Sequence, residues 1–270
     1  MSTIRCFQVD AFTSRPFAGN PAAVCLLDEP RDPEWMQAVA AEMNLSETAF
    51  VRPLESGFEL RWFTPAVEVD LCGHATLAAA HAMWEAGVAP AEAPIEFHTR
   101  SGRLTAARSA ETIELNFPAT PPTEAQAPLG LSEALGVRPV FVGKSRFDYL
   151  LVLECAADVR ALKPDFVRLA GVEARGVIVT SCSDDARFDF VSRFFAPSAG
   201  INEDPVTGSA HCCLAPYWQT QLGRAAMTGY QASARGGVVR VRVDGDRVIL
   251  GGQAVTVWRG ELTPAATAVD

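Results

Sequence analysis

Asp70-Leu-Cys-Gly-His-Ala-Thr76 brings a carboxylate, a thiol and an imidazole together just ahead of a long apolar run. Histidine titrates nearest neutrality, so His74 is suited to proton transfer. The plainer alternative makes Asp70 a helix cap and His74 a buried histidine bonded locally. A second polar segment runs Asn202-Glu-Asp-Pro-Val-Thr-Gly-Ser-Ala-His211. The proline after Asp204 holds that aspartate extended and off the helix. Thr207 and Ser209 offer hydroxyls, and Gly208 lets a ligand approach the backbone closely; an ordinary capped loop would look the same. The third candidate is Glu47, in Asn44-Leu-Ser-Glu-Thr-Ala-Phe50, between a helix and an apolar strand. Burial there would raise its pKa and suit it to acid–base work, whereas a solvated glutamate would do nothing.

The remaining histidines promise less. His81 lies on an apolar helix and His98 in a strand next to Arg100, while His211 follows the second segment and is placed to line a pocket. Cys212 and Cys213 fall in a helix body and are expected in the core. No G-x-S-x-G elbow, P-loop, H-E-x-x-H or G-x-G-x-x-G occurs, and four scattered histidines make a poor metal set. What remains is proton transfer by Glu, Asp and His with backbone donors, using neither cofactor nor metal.

Positioning these groups falls to a repeated plan. Arg61-Trp-Phe-Thr-Pro65 leads to the Cys-Gly-His segment, and Arg193-Phe-Phe-Ala-Pro197 leads to the Thr-Gly-Ser segment. The offset between copies is about half the chain. Each half reads as many short strands and few helices, and its longest apolar helix starts at the Gly-His or Ser-Ala element. Strands are expected at 4–11, 22–27, 48–52, 58–64, 95–99, 102–108 and 112–117, then at 140–142, 148–153, 176–181, 188–195, 237–243, 247–252 and 254–262. Asp32 and Pro33 supply an N-cap and an N1 proline for a helix through Met43. Further helices are expected at 76–86, 131–135, 165–169 and 208–222. The fold class is α+β: two pseudo-symmetric domains, each a curled, mostly antiparallel sheet around one central helix buried on every side. The Pro-rich stretch Pro118–Pro128 sets the boundary, giving domains 1–120 and 121–270. The N-termini of the two central helices, each a positive dipole end, would hold an anion such as a small-molecule carboxylate.

Composition narrows the partners. The 270 residues are 49% hydrophobic and carry a net charge of −9 with no basic run, which argues against a nucleic-acid surface. No stretch approaches the ~20 apolar residues of a membrane span, and the N-terminus lacks the apolar run of a signal peptide. Seven irregularly spaced cysteines suggest neither a disulfide framework nor a zinc knuckle. A reduced, cytoplasmic enzyme is expected.

Several ordered motifs give this sequence a family likeness. Gln8-Val-Asp-Ala-Phe-Thr13, Gly19-Asn-Pro-Ala-Ala23, Asn44–Phe50, Phe63-Thr-Pro65, Asp70–Thr76, Phe195-Ala-Pro197 and Glu203–Ala210 together resemble the PhzF-like (phenazine biosynthesis) proteins, relatives of the diaminopimelate epimerase fold. The resemblance implies two barrel-like domains with the site in the cleft between them, a homodimer, and cofactor-free isomerisation of a dihydrohydroxyanthranilate-like acid. It implies Glu47 as the general acid/base, with His74, Asp204 and Ser209 lining the pocket, binding the substrate and assisting transfer, and Gly73 and Gly208 lending amides. In the racemase relatives two cysteines flank the substrate. Here Cys72 stands at the first position and Thr207 at the second, so a two-thiol mechanism is disfavoured. A racemase or epimerase using Cys72, or a non-catalytic small-molecule-binding protein, are the alternatives.

Overall fold

The computed structural model describes residues 3–90, 92–263 and 266. The chain forms two compact units, Met1–Asn116 with Gly251–Asp270, and Phe117–Leu250. In chain order the first contains β1 (Arg5–Ala11), β2 (Asn20–Leu26), α1 (Pro33–Met43), β3 (Glu47–Pro53), β4 (Phe58–Phe63), β5 (Glu68–Val69), α2 (Gly73–Glu85), β6 (Ile95–Thr99), β7 (Gly102–Ser109) and β8 (Thr112–Pro118), which leads the chain out. The second contains β9 (Thr123–Glu124), α3 (Leu131–Leu135), β10 (Phe141–Lys144), β11 (Tyr149–Val152), α4 (Ala156–Ala161), α5 (Phe166–Ala170), β12 (Val177–Cys182), β13 (Phe190–Phe195), α6 (Gly208–Leu222), β14 (Ala226–Gln231), β15 (Gly237–Asp244) and β16 (Arg247–Gly252). β17 (Ala254–Glu261) follows.

β17 pairs antiparallel with β1 from Arg5↔Glu261 to Ala11↔Ala254. Dividing the chain at residue 120 leaves this strand in the second half; its backbone hydrogen bonds instead make it part of the first unit. With β17 in place the two units follow one pattern. In the first, successive neighbours β17, β1, β2, β3, β4, β6 and β7 pair antiparallel, antiparallel, parallel, antiparallel, parallel and antiparallel. In the second, β9 to β15 repeat that sequence of senses. β9 thus fills, from just upstream, the place that β17 fills from the far end of the chain.

α2 packs on β17, β1, β2 and β3, and also on β7, six strands from β17. A flat sheet would put β17 and β7 roughly 30 Å apart at the usual strand spacing, against a helix diameter of about 10 Å. The sheet therefore curls around the helix. Burial agrees: Leu77, Ala78, Ala79, Ala80, Ala82 and Met83 are wholly inaccessible. Small alanines let the strands approach closely.

α6 has the same role in the second unit, resting on β14 and β15 with Ala210, Cys212, Cys213, Leu214 and Trp218 buried. Pro216 within it has no N–H for the carbonyl of Cys212, one turn earlier. Thr120 supplies that bond, its N–H donating to Cys212 O at 3.0 Å. Outside the sheets, α1 covers one core with Phe50 and Phe63, and α3, α4 and α5 cover another around Leu151, Val179 and Phe195. Asp32 occupies the N-cap of α1 with Pro33 following, but its side chain makes no capping bond.

Candidate active site

α2 starts at Gly73, three residues ahead of the expected Thr76, which brings His74 into its first turn. Cys72 is the N-cap, extended at φ −144° and ψ 112°, and no side chain caps the helix. The Thr76 hydroxyl donates back to Cys72 O at 2.6 Å and ties down the turn. Asp70 is not part of this cluster: its side chain is 72% exposed and turns towards Arg100, 3.7 Å away.

Three residues meet instead around His74, which is 4% exposed. Glu47, the first residue of β3, brings Oε2 to 3.1 Å from His74 Nε2. Asn20, the first residue of β2, places its amide nitrogen 3.1 Å from His74 Nδ1. Cys72 Sγ lies 3.5 Å from the same Nδ1. Glu47 and Asn20 reach the helix start because β2 and β3 are parallel, with Ala22 paired to Glu47, so both strands begin at one edge. The Glu47–His74 approach lies off the hydrogen-bond axis. Among the described residues, Glu47 Oε2 and His74 Nε2 are buried with no hydrogen-bond partner, leaving their bonding capacity for a ligand.

Electrostatics set the protons. Burial opposes the imidazolium of His74, but the adjoining Cys72 and Glu47 outweigh it and hold His74 well above its ordinary value. Burial, reinforced by the charge of Glu47, pushes Cys72 up to about 11. At neutral pH Cys72 is a thiol, so the negative partner of His74 is Glu47. The ligating atoms of Glu47, Cys72 and His74 lie within 4.8 Å of one another, but the ring turns Nε2 to Glu47 and Nδ1 to Cys72.

In the second unit Thr207 is the N-cap of α6, extended like Cys72 and again without a capping side chain. Thr207 Oγ1 donates to Asp204 Oδ2 at 2.5 Å. Gln231, at the end of β14 and fully buried, locks this loop. Its Oε1 accepts from Thr207 N at 2.9 Å and its Nε2 donates to Asp204 O at 2.7 Å. Ser209 is half-buried and lies 3.3 Å from Arg175 Nη2. Gly73 and Gly208 each open a central helix.

The family model for phenazine biosynthesis-like proteins (PhzC-PhzF) matches residues 9–260. The chain belongs to this family. It is 54% identical to an uncharacterized isomerase of Halalkalibacterium halodurans, over 97% of this chain and 99% of that one. The crystal structure of a PhzF-family protein of Enterococcus faecalis superposes with a TM-score of 0.92 at 40% identity, covering 97% of this chain and 100% of that one. A probable proline racemase of Agrobacterium radiobacter shares the fold alone, with a TM-score of 0.65 at 12% identity over 97% and 95% of the two chains.

His211, expected to line a pocket, lies in the core. It is inaccessible, its Nδ1 lies 2.8 Å from Thr207 O, and its ring packs against Phe190. Burial lowers it to about 4, so it is a neutral core residue and not a pocket lining. Cys212 and Cys213 are buried as expected. Asn20, Gln231 and Arg175 were not among the sequence candidates. Asn20 had a signal, since a polar residue after the left-handed Gly19 (φ 63°) opens an otherwise apolar strand. Gln231 had none, because β14 is absent from the sequence reading.

Proposed function

We propose that this isomerase moves a proton on a small amino- or hydroxy-carboxylate, cyclic and dihydrohydroxyanthranilate-like being the form the family suggests, without a cofactor. Glu47 is the acid/base: its carboxylate takes a proton from one carbon and returns it to another on the same face. His74, held as imidazolium, balances the Glu47 carboxylate before abstraction, and once Glu47 carries the proton its positive charge faces the negative charge left on the substrate. The free amides of Gly73 and His74, at the positive end of α2, stabilise charge developing on the substrate. Asp204 and Ser209 bind the substrate's polar groups and assist transfer, helped by the backbone of Gly208 and by Thr207. Cys72 contributes a neutral thiol to the same surface. A homodimer in the cytoplasm, with no nucleic acid or membrane partner, completes the reading. Among the described residues no helix is long and apolar enough to cross a membrane.

The observation carrying the reading is the buried Glu47–His74 pair with its unspent hydrogen-bonding atoms. The test is incubation in deuterium oxide with a panel of small amino acids and dihydroaromatic acids, followed by mass spectrometry. Deuterium entering one carbon as the double bond migrates supports an isomerase. A racemised α-carbon without migration, or no exchange with any acid on the panel, contradicts it.

A further inference from the structure

Arg175 stands just ahead of β12 in the second unit. Its Nε and Nη2 donate to the carboxylate oxygens of Asp148 at 2.9 and 2.5 Å. Asp148 is 1% exposed, and the guanidinium lies over the ring of Phe147, 4.9 Å from its centroid. A guanidinium has two edges that can each grip a carboxylate. Asp148 takes the Nε/Nη2 edge. Nη2 also reaches Ser209 Oγ at 3.3 Å, so the second edge faces the start of α6. Among the described residues no protein acceptor engages Nη1, and the side chain is 48% exposed.

The first turn of α6 adds donors. No side chain caps it, and the amides of Gly208, Ser209 and Ala210 have no intrahelical acceptor. Among the described residues the carboxylate bonded to Arg175 is that of Asp148, on its far edge, so the near side presents a fixed cation, a hydroxyl and a helix start. Burying Asp148 is costly, and what it secures is the orientation of one guanidinium held between it and Phe147.

We propose that Arg175 binds the carboxylate of the substrate through its Nη1/Nη2 edge. Ser209 and the α6 amides complete the cradle, and Asp148 is a positioning residue. The proposal rests on the carboxylate-substrate reading above and narrows it: the ligand is a flat oxyanion, gripped at two points, and a neutral isostere is rejected.

Titration with benzoate and with benzamide, its uncharged analogue, tests this by calorimetry and by amide NMR. Wild-type protein is expected to prefer benzoate, with the Gly208 and Ser209 amide signals shifting. Arg175→Gln is expected to weaken benzoate by about tenfold or more while leaving benzamide unchanged. Asp148→Asn should lower the benzoate-to-benzamide ratio, which a merely structural role would not move. If Arg175→Gln unfolds because Asp148 is left buried and unpaired, the double variant Arg175→Gln/Asp148→Asn removes that charge and carries the same expectation. Benzoate binding requires no proton transfer, so benzoate preference without deuterium exchange on the acid panel points to failure of the Glu47 chemistry alone, and exchange without benzoate preference to failure of the carboxylate site alone. Equal benzoate affinity in wild type and Arg175→Gln, or no benzoate binding by wild type at high millimolar concentration, overturns the proposal.

Discussion

Gly176 holds in the second unit the register position that Glu47 holds in the first. Thr48 pairs with Phe63 of the Phe-Thr-Pro element, and Val177 pairs with Phe195 of the Phe-Ala-Pro element. The residue before each pair is Glu47 in one copy and Gly176 in the other. A Cβ at position 176 would lie 2.3 Å from the Phe194 ring and 2.9 Å from Asp148 Oδ1. The scaffold is duplicated, but the second copy has no room for a carboxylate at the matching position.

That crowding is testable. Gly176→Ala must displace an aromatic ring and is expected to destabilise the protein by about 1–3 kcal/mol. Urea unfolding measures it, and an unchanged midpoint would show that the site has room after all.

The His74–Glu47 pair makes a prediction about titration. Because the folded pKa of His74 is raised, the stability it contributes is complete below about 6.5 and is lost as pH rises through the folded value. Ring NMR of His74 should give a midpoint above that of a free histidine. The midpoint should fall in Glu47→Gln, where the partner charge is gone. A midpoint that does not move would assign the shift elsewhere.

Cys72 is expected to behave as an unreactive thiol. With its pKa pushed to about 11 by burial and then by Glu47, alkylation by iodoacetamide should be slow at neutral pH and accelerate only as pH nears that value. The exposed Cys155 serves as the internal control. Rapid labelling of Cys72 at pH 7 would indicate a thiolate and favour racemase-like chemistry.

Much of this was legible in the residues because the signals were local. The Phe-x-Pro elements, the alanine-rich run after Gly73 and the proline after Asp204 each act within a few positions. The missed features depend on distant partners. The pairing of β17 with β1 joins opposite ends of the chain, and nothing within Ala254–Glu261 names its neighbour. β14 carries Gly229, whose Cβ would strike the Phe190 ring, so its close packing reads in sequence as a strand breaker. Gln231 and Asn20 gain their roles only when separate segments meet. Asp70 illustrates the converse: adjacency to Cys72 and His74 suggested a shared site, but the helix starting at Gly73 leaves it outside.

His211 supplies a stability prediction of opposite sign to His74. Burial holds it neutral, with a folded pKa of about 4. Its contribution is therefore complete above about 6.5 and is lost as pH falls from there towards 4, by up to about 3 kcal/mol. Unfolding free energies of wild type and His211→Asn, compared across that window, isolate the effect from carboxylate titration. The gap between the two proteins should narrow as pH falls; a constant gap would mean that His211 is already protonated in the fold.

The most direct measurement is solvent-deuterium exchange by Glu47→Gln on an acid that the wild-type protein isomerises. Glutamine keeps the size of the side chain and removes its ability to hold a proton. Exchange is expected to fall by at least about 10²-fold with the unfolding midpoint preserved. Exchange at the wild-type rate in a folded Glu47→Gln protein would contradict the assignment of Glu47 as the proton carrier.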